Sequence, residues 1–272
     1  MIIDSHAHIG RIAVYNLSMR KILYSMKRYG IDFTLVSSIE CIENDDKGRP
    51  VPRIVQRSQY RVLKRSLRAV KKTPDKVGLL VWLKIRQEQP DEKLIRLIEK
   101  NRRYIYGIKL HPYRSRTAPD SPKMQAIYDL ARRFDLPVVS HTGDCEEADS
   151  EHLYNAAKQN PDINFVAVHM DLESGNRRAI DFISKLPNLY GDTTWVPVSS
   201  TLRAIELCGS EKILFGSDNP VDGKDTYLVN NAGQRALSQE YFNEFKTMVS
   251  AEDYDNIMYK NAERLFKIKL PE

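Results

Sequence analysis

Eight short apolar segments alternate with amphipathic segments along the 272 residues, and this alternation constrains the fold more than any other feature. Strands that alternate with helices form parallel βαβ units. A count of eight predicts an α/β protein with a single (β/α)8 TIM barrel over residues 1–272, somewhat distorted and extended by C-terminal helices. The predicted strands are Ile2–Ile9, Phe33–Ile39, Val77–Ile85, Ile105–His111, Pro137–His141, Asn164–His169, Leu189–Thr194 and Ile213–Asp218.

The segments between these strands carry apolar residues at helical spacing. The predicted helices are Ser18–Tyr29, Arg53–Lys72, Asp91–Asn101, Ser121–Phe134, Ser150–Gln159, Glu173–Lys185, Ser199–Leu207, Ser238–Val249 and Ala251–Lys267. No linker rich in Pro, Gly or Ser divides the chain. A barrel of about 250 residues fits one domain, so we expect one domain over the full length.

Composition favours a cytoplasmic protein. No apolar run approaches the ~20 residues of a membrane span, and the start Met1-Ile2-Ile3-Asp4 lacks the basic residues of a secretion signal. Cys41, Cys145 and Cys208 are odd in number and widely spaced, which fits a reducing compartment rather than a disulfide framework.

The histidines are sorted to the ends of predicted strands. His6 and His8 lie two residues apart, so on a strand both side chains point to the same face. Five of the six histidines lie at such ends, and only His152 lies in a predicted helix, where a structural or solvated role is expected. In (β/α)8 barrels the chemistry lies at the carboxyl ends of the strands. The sorting therefore predicts an active site built from imidazoles.

A divalent metal site accounts for these residues. We expect His6, His8, His141 and Asp218 to bind one ion, most simply Zn²⁺, and to leave a position open for water. Such an ion lowers the pKa of water toward ~7. His169 and Asp218 are the predicted catalytic residues that hold the water or move a proton. Asp4 shares the face of the two N-terminal histidines, and we expect it to hydrogen-bond around the site rather than bind the metal.

Lys109 and His111 share one face of the fourth predicted strand and are the predicted substrate-binding residues. The favoured interpretation keeps Lys109 cationic, as a clamp on a substrate carboxylate. The alternative is a carboxylated Lys109 that bridges to a second metal ion. Arg11 and Arg114 are further candidates to face an anion, and Trp195 is a candidate for the pocket wall.

The stretch from Lys47 to Lys76 holds eleven Lys and Arg and a single acid, Asp75. A contact surface for an acidic partner or a nucleic acid is one interpretation. The favoured interpretation is the solvated face of an amphipathic helix on the outside of the barrel.

Several motifs, in order along the chain, resemble the amidohydrolase superfamily, and specifically its amidohydrolase-related branch of metal-dependent barrel hydrolases and decarboxylases. They are Asp4-Ser5-His6-Ala7-His8, Gly107-Ile108-Lys109-Leu110-His111-Pro112, the strand-end His141 and His169, Phe215-Gly216-Ser217-Asp218-Asn219-Pro220 and Asn261-Ala262-Glu263-Arg264-Leu265-Phe266.

The resemblance implies a distorted (β/α)8 barrel with a divalent ion, with His6, His8, His141 and Asp218 as ligands and His169 as the catalytic imidazole. The fourth strand lacks the acid of the related TatD-like deoxyribonucleases. Asp171 is a departure, because the family usually has Gly at that position, and it predicts an unusual loop.

We therefore expect a metal-dependent hydrolase that acts on an amide, ester or lactone bond of a small, anionic substrate. The alternative is a non-oxidative decarboxylase of an aromatic or unsaturated acid, and a TatD-like nuclease is less favoured. The expected partner is a small molecule, without nucleic acid or membrane, and the sequence is compatible with a homo-oligomer. A metal that is structural, in a binding module, is disfavoured by the open ligand position.

Overall fold

The computed structural model describes residues 1–12, 15–172, 174–222 and 225–270. Nine strands form one curled sheet in the order β2-β1-β3-β4-β5-β6-β7-β8-β9. All neighbours are parallel except β1 and β2, which are antiparallel. The strands are β1 Ile3–Ile12, β2 Tyr15–Leu17, β3 Phe33–Ser38, β4 Val77–Trp82, β5 Ile105–Leu110, β6 Val138–Gly143, β7 Phe165–Leu172, β8 Leu189–Asp192 and β9 Ile213–Leu214.

All eight predicted strands are present, but the predicted strand Ile213–Asp218 is shortened to Ile213–Leu214. Strand β2 is an addition that the sequence did not predict. The sequence predicts a closed barrel, and the structure shows a strongly curled sheet. Within the described residues its strand pairing ends at β9. The chain after β9 returns beside β1. Ser5 N donates to Phe215 O at 2.9 Å, His8 N donates to Asn219 O at 2.7 Å, and Ala7 and Asn219 form an isolated parallel bridge.

Twelve α-helices are described, most of them packed on the outside of the sheet. They are α1 Met19–Tyr29, α2 Gln59–Val70, α3 Glu92–Lys100, α4 Pro112–Ser115, α5 Gln125–Phe134, α6 Ser150–Gln159, α7 Arg177–Lys185, α8 Val198–Cys208, α9 Leu237–Phe242, α10 Phe245–Met248, α11 Ala251–Asp255 and α12 Asn261–Phe266. Ser18, Ser58, Asp91 and Ser250 cap α1, α2, α3 and α11, because each side chain accepts a hydrogen bond from a backbone N–H of the first turn.

Two of the predicted helices begin several residues later in the structure. The helix predicted from Arg53 begins only at Gln59, after a short 3-10 turn and the Ser58 cap. The predicted Glu173–Lys185 helix begins at Arg177 in the structure, and Glu173 itself lies outside the described residues.

The predicted helix Ser238–Val249 is divided into α9 and α10. Between them the Asn243 side chain donates to Gln239 O at 2.7 Å, so it competes with the backbone for the carbonyls at the end of α9. The predicted helix Ala251–Lys267 contains a π-helical turn over Asn256–Lys260. There Ile257 O accepts from Phe215 N at 2.9 Å, so the sheet draws this carbonyl into its own hydrogen bonding.

The core has two layers that the curled sheet separates. The larger layer lies between the sheet and the surrounding helices. The smaller lies inside the curl, where Phe33, Leu80 and Val166 meet side chains of α12, among them Phe266. Because α12 fills one end of the interior, the opposite end, at the carboxyl ends of the strands, remains open for a pocket.

Among the described residues, no helix is both long and apolar enough to cross a bilayer. Cys41, Cys145 and Cys208 are unpaired thiols in the structure.

We predict that Asn188→Ala destabilises the fold by about 2–3 kcal/mol, because it removes the hydrogen bonds of one buried amide to three backbone carbonyls. The buried Asn188 amide donates to Ala157 O, Asn160 O and Ile163 O at 2.9, 3.0 and 2.8 Å. Urea unfolding measures the loss. Asn243→Ala, at an exposed site with one such bond, is the matched control and should cost less than about 1 kcal/mol. Equal losses would contradict the interpretation.

Candidate metal centre and active site

The predicted site residues meet in one cavity of about 390 Å³ at the carboxyl ends of the strands. Strand β1 supplies His6 and His8, β6 supplies His141, and β7 supplies His169. Lys109 lies in β5, His111 follows it, and Asp218 lies beyond β9. All seven side chains line the cavity, together with apolar and aromatic residues that include Trp82, Tyr113 and Trp195.

Three of the four predicted metal ligands converge on one point. His6 Nε2 lies 3.1 Å from His8 Nε2 and 3.3 Å from Asp218 Oδ1, and His8 Nε2 lies 2.7 Å from the same carboxylate oxygen. Ligand atoms held about 2.0–2.1 Å from a tetrahedral Zn²⁺ lie about 3.3 Å apart. The spacing and the nitrogen and oxygen donors of this triad, His6, His8 and Asp218, therefore fit a small divalent ion.

The fourth predicted ligand lies in the cavity but outside this triad. His141 Nε2 is 3.0 Å from Asp144 Oδ2, and its ring stacks on His111 with the centroids 4.1 Å apart. The His141 and His169 rings meet edge to face at 4.8 Å. His141 is thus held next to the triad by a carboxylate that the sequence did not predict.

The Nδ1 atoms of His6 and His8 contact side chains outside the triad. His6 Nδ1 lies 3.1 Å from Thr194 Oγ1 and 3.3 Å from Asp192 Oδ2, and His8 Nδ1 lies 2.9 Å from Ser37 Oγ. Such partners fix the ring orientation and leave Nε2 for the metal. Both Nε2 atoms accordingly point to Asp218.

Asp192 orders this side of the pocket. Its Oδ1 accepts from His169 N at 2.9 Å and from Thr194 N at 3.1 Å, and its Oδ2 accepts from Thr194 Oγ1 at 2.9 Å. The carboxyl is fully buried, which raises its pKa above the usual range. One carboxylate therefore links β7, β8 and, through His6, β1.

Sequence reasoning missed Asp192, Thr194 and Asp144. The segment Gly191-Asp192-Thr193-Thr194 ends a predicted strand with polar residues, which is the signal that identified the histidines. That signal also applies to Asp144, three residues after His141.

Burial sets the protonation of the imidazoles. It lowers the pKa of His169 to about 4 and holds the pKa values of His6 and His141 below their ordinary value. All three rings are therefore neutral at pH 7, as metal ligation or proton acceptance requires. His169 Nδ1 donates to Thr194 O at 3.1 Å, so its Nε2 carries the free lone pair.

Lys109 and Asp218 are the charged side chains beside His6 Nε2. Burial lowers the pKa of Lys109 to about 8, although Asp218 and Asp192 oppose the shift, and its Nζ lies 3.0 Å from His6 Nε2. Burial alone would raise the pKa of Asp218, but the neighbouring His8 and His6 hold it well below its usual range. At pH 7 an ammonium and a carboxylate therefore face each other across His6.

Asp4 lies beneath the site, as expected, and bonds to neighbours rather than to the triad donors. It accepts from Ser217 Oγ at 2.6 Å and from Tyr227 OH at 2.5 Å. Burial raises its pKa to about 7. Away from the pocket, His152 lies in α6 with its Nδ1 2.8 Å from Asp120 Oδ1, in agreement with a structural role.

Four residues of the pocket wall have left-handed backbone. Asp144, His169, Trp195 and Asp218 have φ of 73°, 69°, 56° and 63°. Non-glycine residues adopt this conformation rarely and at a cost of about 1 kcal/mol or more, and such residues concentrate at functional sites.

Asp171, at the position where the resemblance leads us to expect Gly, also has a left-handed φ of 71°. Its carboxylate accepts from Ser150 N at 3.3 Å and lies 3.5 Å from Arg178. These contacts hold a conformation that a glycine adopts freely.

The pocket mouth is formed by the loop after β3 and by α4. Asn44 N and Nδ2 donate to Arg114 O at 2.9 and 2.7 Å, Tyr113 OH donates to Asp46 O at 2.7 Å, and Arg114 forms an ion pair with Asp46. Arg114 lines the cavity as the sequence suggested, whereas Arg11 is an exposed residue outside its lining.

Comparison with known proteins assigns the chain to a family. The amidohydrolase family model matches residues 3–268. No curated protein sequence matches the chain.

Solved structures share the fold along the whole chain. A probable 2-pyrone-4,6-dicarboxylic acid hydrolase from Acinetobacter baumannii with citric acid bound superimposes with a TM-score of 0.67 at 14% identity, over 98% of this chain and 99% of that one. A 2,6-dihydroxybenzoate decarboxylase from Rhizobium superimposes with a TM-score of 0.70 at 15% identity, over 98% of this chain and 98% of that one. A 5-carboxyvanillate decarboxylase from Novosphingobium aromaticivorans with bound manganese superimposes with a TM-score of 0.72 at 12% identity, over 98% of this chain and 97% of that one.

The chain belongs to the amidohydrolase family, which the resemblance predicted, and it is an enzyme of that superfamily. Its relatives of known structure include both hydrolases and decarboxylases.

We predict that His169 stabilises the chelated protein by an amount that is lost as pH falls from about 6.5 to about 4. In that window the unfolded chain binds a proton at His169 that the folded chain excludes, so the contribution of this residue to the free energy of unfolding rises with pH. The buried Asp4, with its pKa raised to about 7, contributes in the opposite direction. Urea unfolding in a chelator at several pH values measures the slope. His169→Asn should make the slope of the free energy of unfolding against pH less positive, while the other buried groups still contribute to it. An unchanged slope in this variant would refute the assignment.

Proposed function

We propose that this enzyme is a metal-dependent hydrolase that attacks an amide, ester or lactone carbonyl of a small anionic substrate with water. The observation that carries the proposal is the convergence of His6 Nε2, His8 Nε2 and Asp218 Oδ1 within 3.3 Å of one another at the floor of an open cavity. When bound there, a divalent ion supplies Lewis acidity and lowers the pKa of water.

The four predicted ligands, His6, His8, Asp218 and His141, would hold the ion, with His141 released from Asp144. Neutral imidazoles with one carboxylate suit Zn²⁺, which is our first choice, and the manganese in one relative makes Mn²⁺ the second. Carboxylation of Lys109 would supply a ligand for a second ion.

The position of Asp218 depends on the junction between β1 and the segment after β9. Asp218 N donates to His6 O at 2.8 Å, next to the hydrogen bonds of Ser5 and His8 with that segment. We propose that this junction completes a closed (β/α)8 barrel, so that barrel closure and assembly of the metal site are the same event.

His169 and Asp218 are the proposed proton carriers. His169 is neutral at pH 7 and has a free Nε2, so it accepts a proton from the attacking water. Asp218, whose pKa is held low, remains ionised and orients that water or passes the proton to the leaving group.

Lys109 and His111 are the proposed substrate contacts. Lys109 is a buried cation below a pH of about 8 and attracts a substrate carboxylate. His111 Nδ1 is buried and has no hydrogen-bond partner among the described residues, which leaves it free for a substrate group. Trp82 stacks on His111 with centroids 5.1 Å apart, and both side chains line the cavity.

The second candidate function is non-oxidative decarboxylation of an aromatic acid. Two observations favour it: decarboxylases of aromatic acids are among the structures with this fold, and the aromatic side chains of Trp82, Tyr113 and Trp195 line the cavity. The same residues would hold the substrate, and the proton would go to carbon rather than to a leaving heteroatom.

We predict that His6→Ala and His8→Ala each lower the bound divalent metal by at least about tenfold, because each removes one ligand. Metal content after dialysis is measured by elemental analysis. His152→Ala, which removes a histidine away from the cavity, is the control and should retain the metal of the wild type. Stoichiometric metal in the His6 and His8 variants would refute the site.

We predict that Asp218→Asn lowers turnover at least about 100-fold at unchanged circular dichroism, because it removes a metal ligand and a proton acceptor together. The assay is a panel of lactones, esters and amides of small acids, run in parallel with aromatic acids under detection of CO₂. Product acids without CO₂ support the hydrolase. Evolution of CO₂ identifies the decarboxylase instead, and unchanged turnover in the variant would exclude this role of Asp218.

A further inference from the structure

A groove on the outer helical layer collects part of the basic stretch that the proposed function does not use. It lies between α2 and α3, encloses about 520 Å³, and shares no lining residue with the active-site cavity among the described residues. Three cations of α2 and its cap face three of α3 across it. These rim residues are Lys64, Arg68, Lys71, Lys93, Arg96 and Lys100.

The rim cations are poorly neutralised. Among the described ion pairs, one carboxylate reaches this rim: Glu92 lies 2.5 Å from Arg96. Lys71 rests on the ring of Tyr104, with its Nζ 5.2 Å from the centroid. Like charges that face each other across a narrow groove repel, and an anionic occupant relieves that repulsion. A solvated helix face, the interpretation favoured from sequence, does not by itself explain two basic rims that face each other.

The shape and floor of the groove indicate what the occupant is. From Tyr60 to Lys71 the α2 rim runs about 16 Å along the helix axis, which suits an elongated ligand of about three helical turns rather than a compact anion. The floor is apolar, with Leu67 buried and Tyr60 and Leu97 half-buried. Amphipathic helices bind such grooves with their apolar face inward.

Nucleic acid fits these features less well. Bases bind to proteins by stacking on accessible aromatic rings. The Tyr104 ring beside the groove is already covered by Lys71 and Arg103, at 5.2 and 4.7 Å, and the Tyr60 ring is half-buried in the floor. Phosphates also gain nothing from the leucine floor.

We propose that the α2–α3 groove binds an acidic amphipathic helix of another protein, whose apolar face lies on Leu67 and Leu97 and whose carboxylates pair with the two basic rims. This inference does not depend on the proposed function, because the groove lies outside the active site.

The probe is a fluorescein-labelled synthetic peptide of about 18 residues, long enough to form a helix in water, with a leucine stripe flanked by glutamates. Its binding to the metal-loaded full chain is measured by fluorescence anisotropy at several salt concentrations. A scrambled peptide of the same composition separates amphipathic recognition from attraction to charge alone. We expect the designed peptide to bind at least about tenfold tighter than the scrambled one.

The test variant combines Arg68→Glu, Lys93→Glu and Lys100→Glu. The matched control combines Lys158→Glu, Arg177→Glu and Lys185→Glu, which change the net charge equally at exposed positions of α6 and α7. We expect the groove variant to weaken peptide binding at least about tenfold and the control less than about threefold. The corresponding Gln substitutions in the groove repeat the test if charge reversal prevents folding.

Three results would overturn the proposal. The first is that the wild type does not bind the designed peptide, or binds the scrambled one equally well. The second is an equal loss in the groove variant and the control, which would show an effect of net charge. The third is tighter binding of a labelled RNA hairpin than of the peptide, with the RNA binding lost in the groove variant. That result would assign the groove to nucleic acid.

Discussion

The cost of burying charge governs the architecture of this pocket. Asp192 is fully buried, and it is tolerated because backbone and side-chain donors from β7 and the end of β8 surround it. Those same bonds fix His169 and, through Thr194, the ring of His6. The proposed catalytic imidazole and one proposed metal ligand therefore take their positions from a carboxylate that is outside the cavity lining among the described residues.

The triad also brings together side chains from β1 and from the segment after β9. His6 and His8 belong to β1, whereas Asp218 follows β9, and the backbone bond from Asp218 N to His6 O sets them side by side. Asp4 reinforces this junction from below through Ser217 and Tyr227. The proposed ligands thus come together only when the segment after β9 meets β1, which makes the site a product of the tertiary fold rather than of any local segment.

Much of the fold follows from the sequence, because the periodicity of buried residues is a local property. All eight predicted strands are present, and the strand-end rule brought His6, His141, His169 and Asp218 into one cavity. Non-local hydrogen bonds account for the failures. The interruption of the C-terminal helix at Ile257 arises from a bond to Phe215, and the pairing of His141 with Asp144 depends on a left-handed turn that no spacing rule reveals.

At the left-handed residues of the pocket wall, the stability of the backbone and the proposed chemistry favour different side chains. At His169, Trp195 and Asp218 the backbone adopts a conformation that glycine accepts without cost, whereas each of these positions carries a side chain directed to the cavity. A glycine there would relax the main chain while it erased the imidazole, the indole or the carboxylate. Thermal stability alone would therefore favour glycine at these positions, and the proposed function gives a reason for the side chains that they carry.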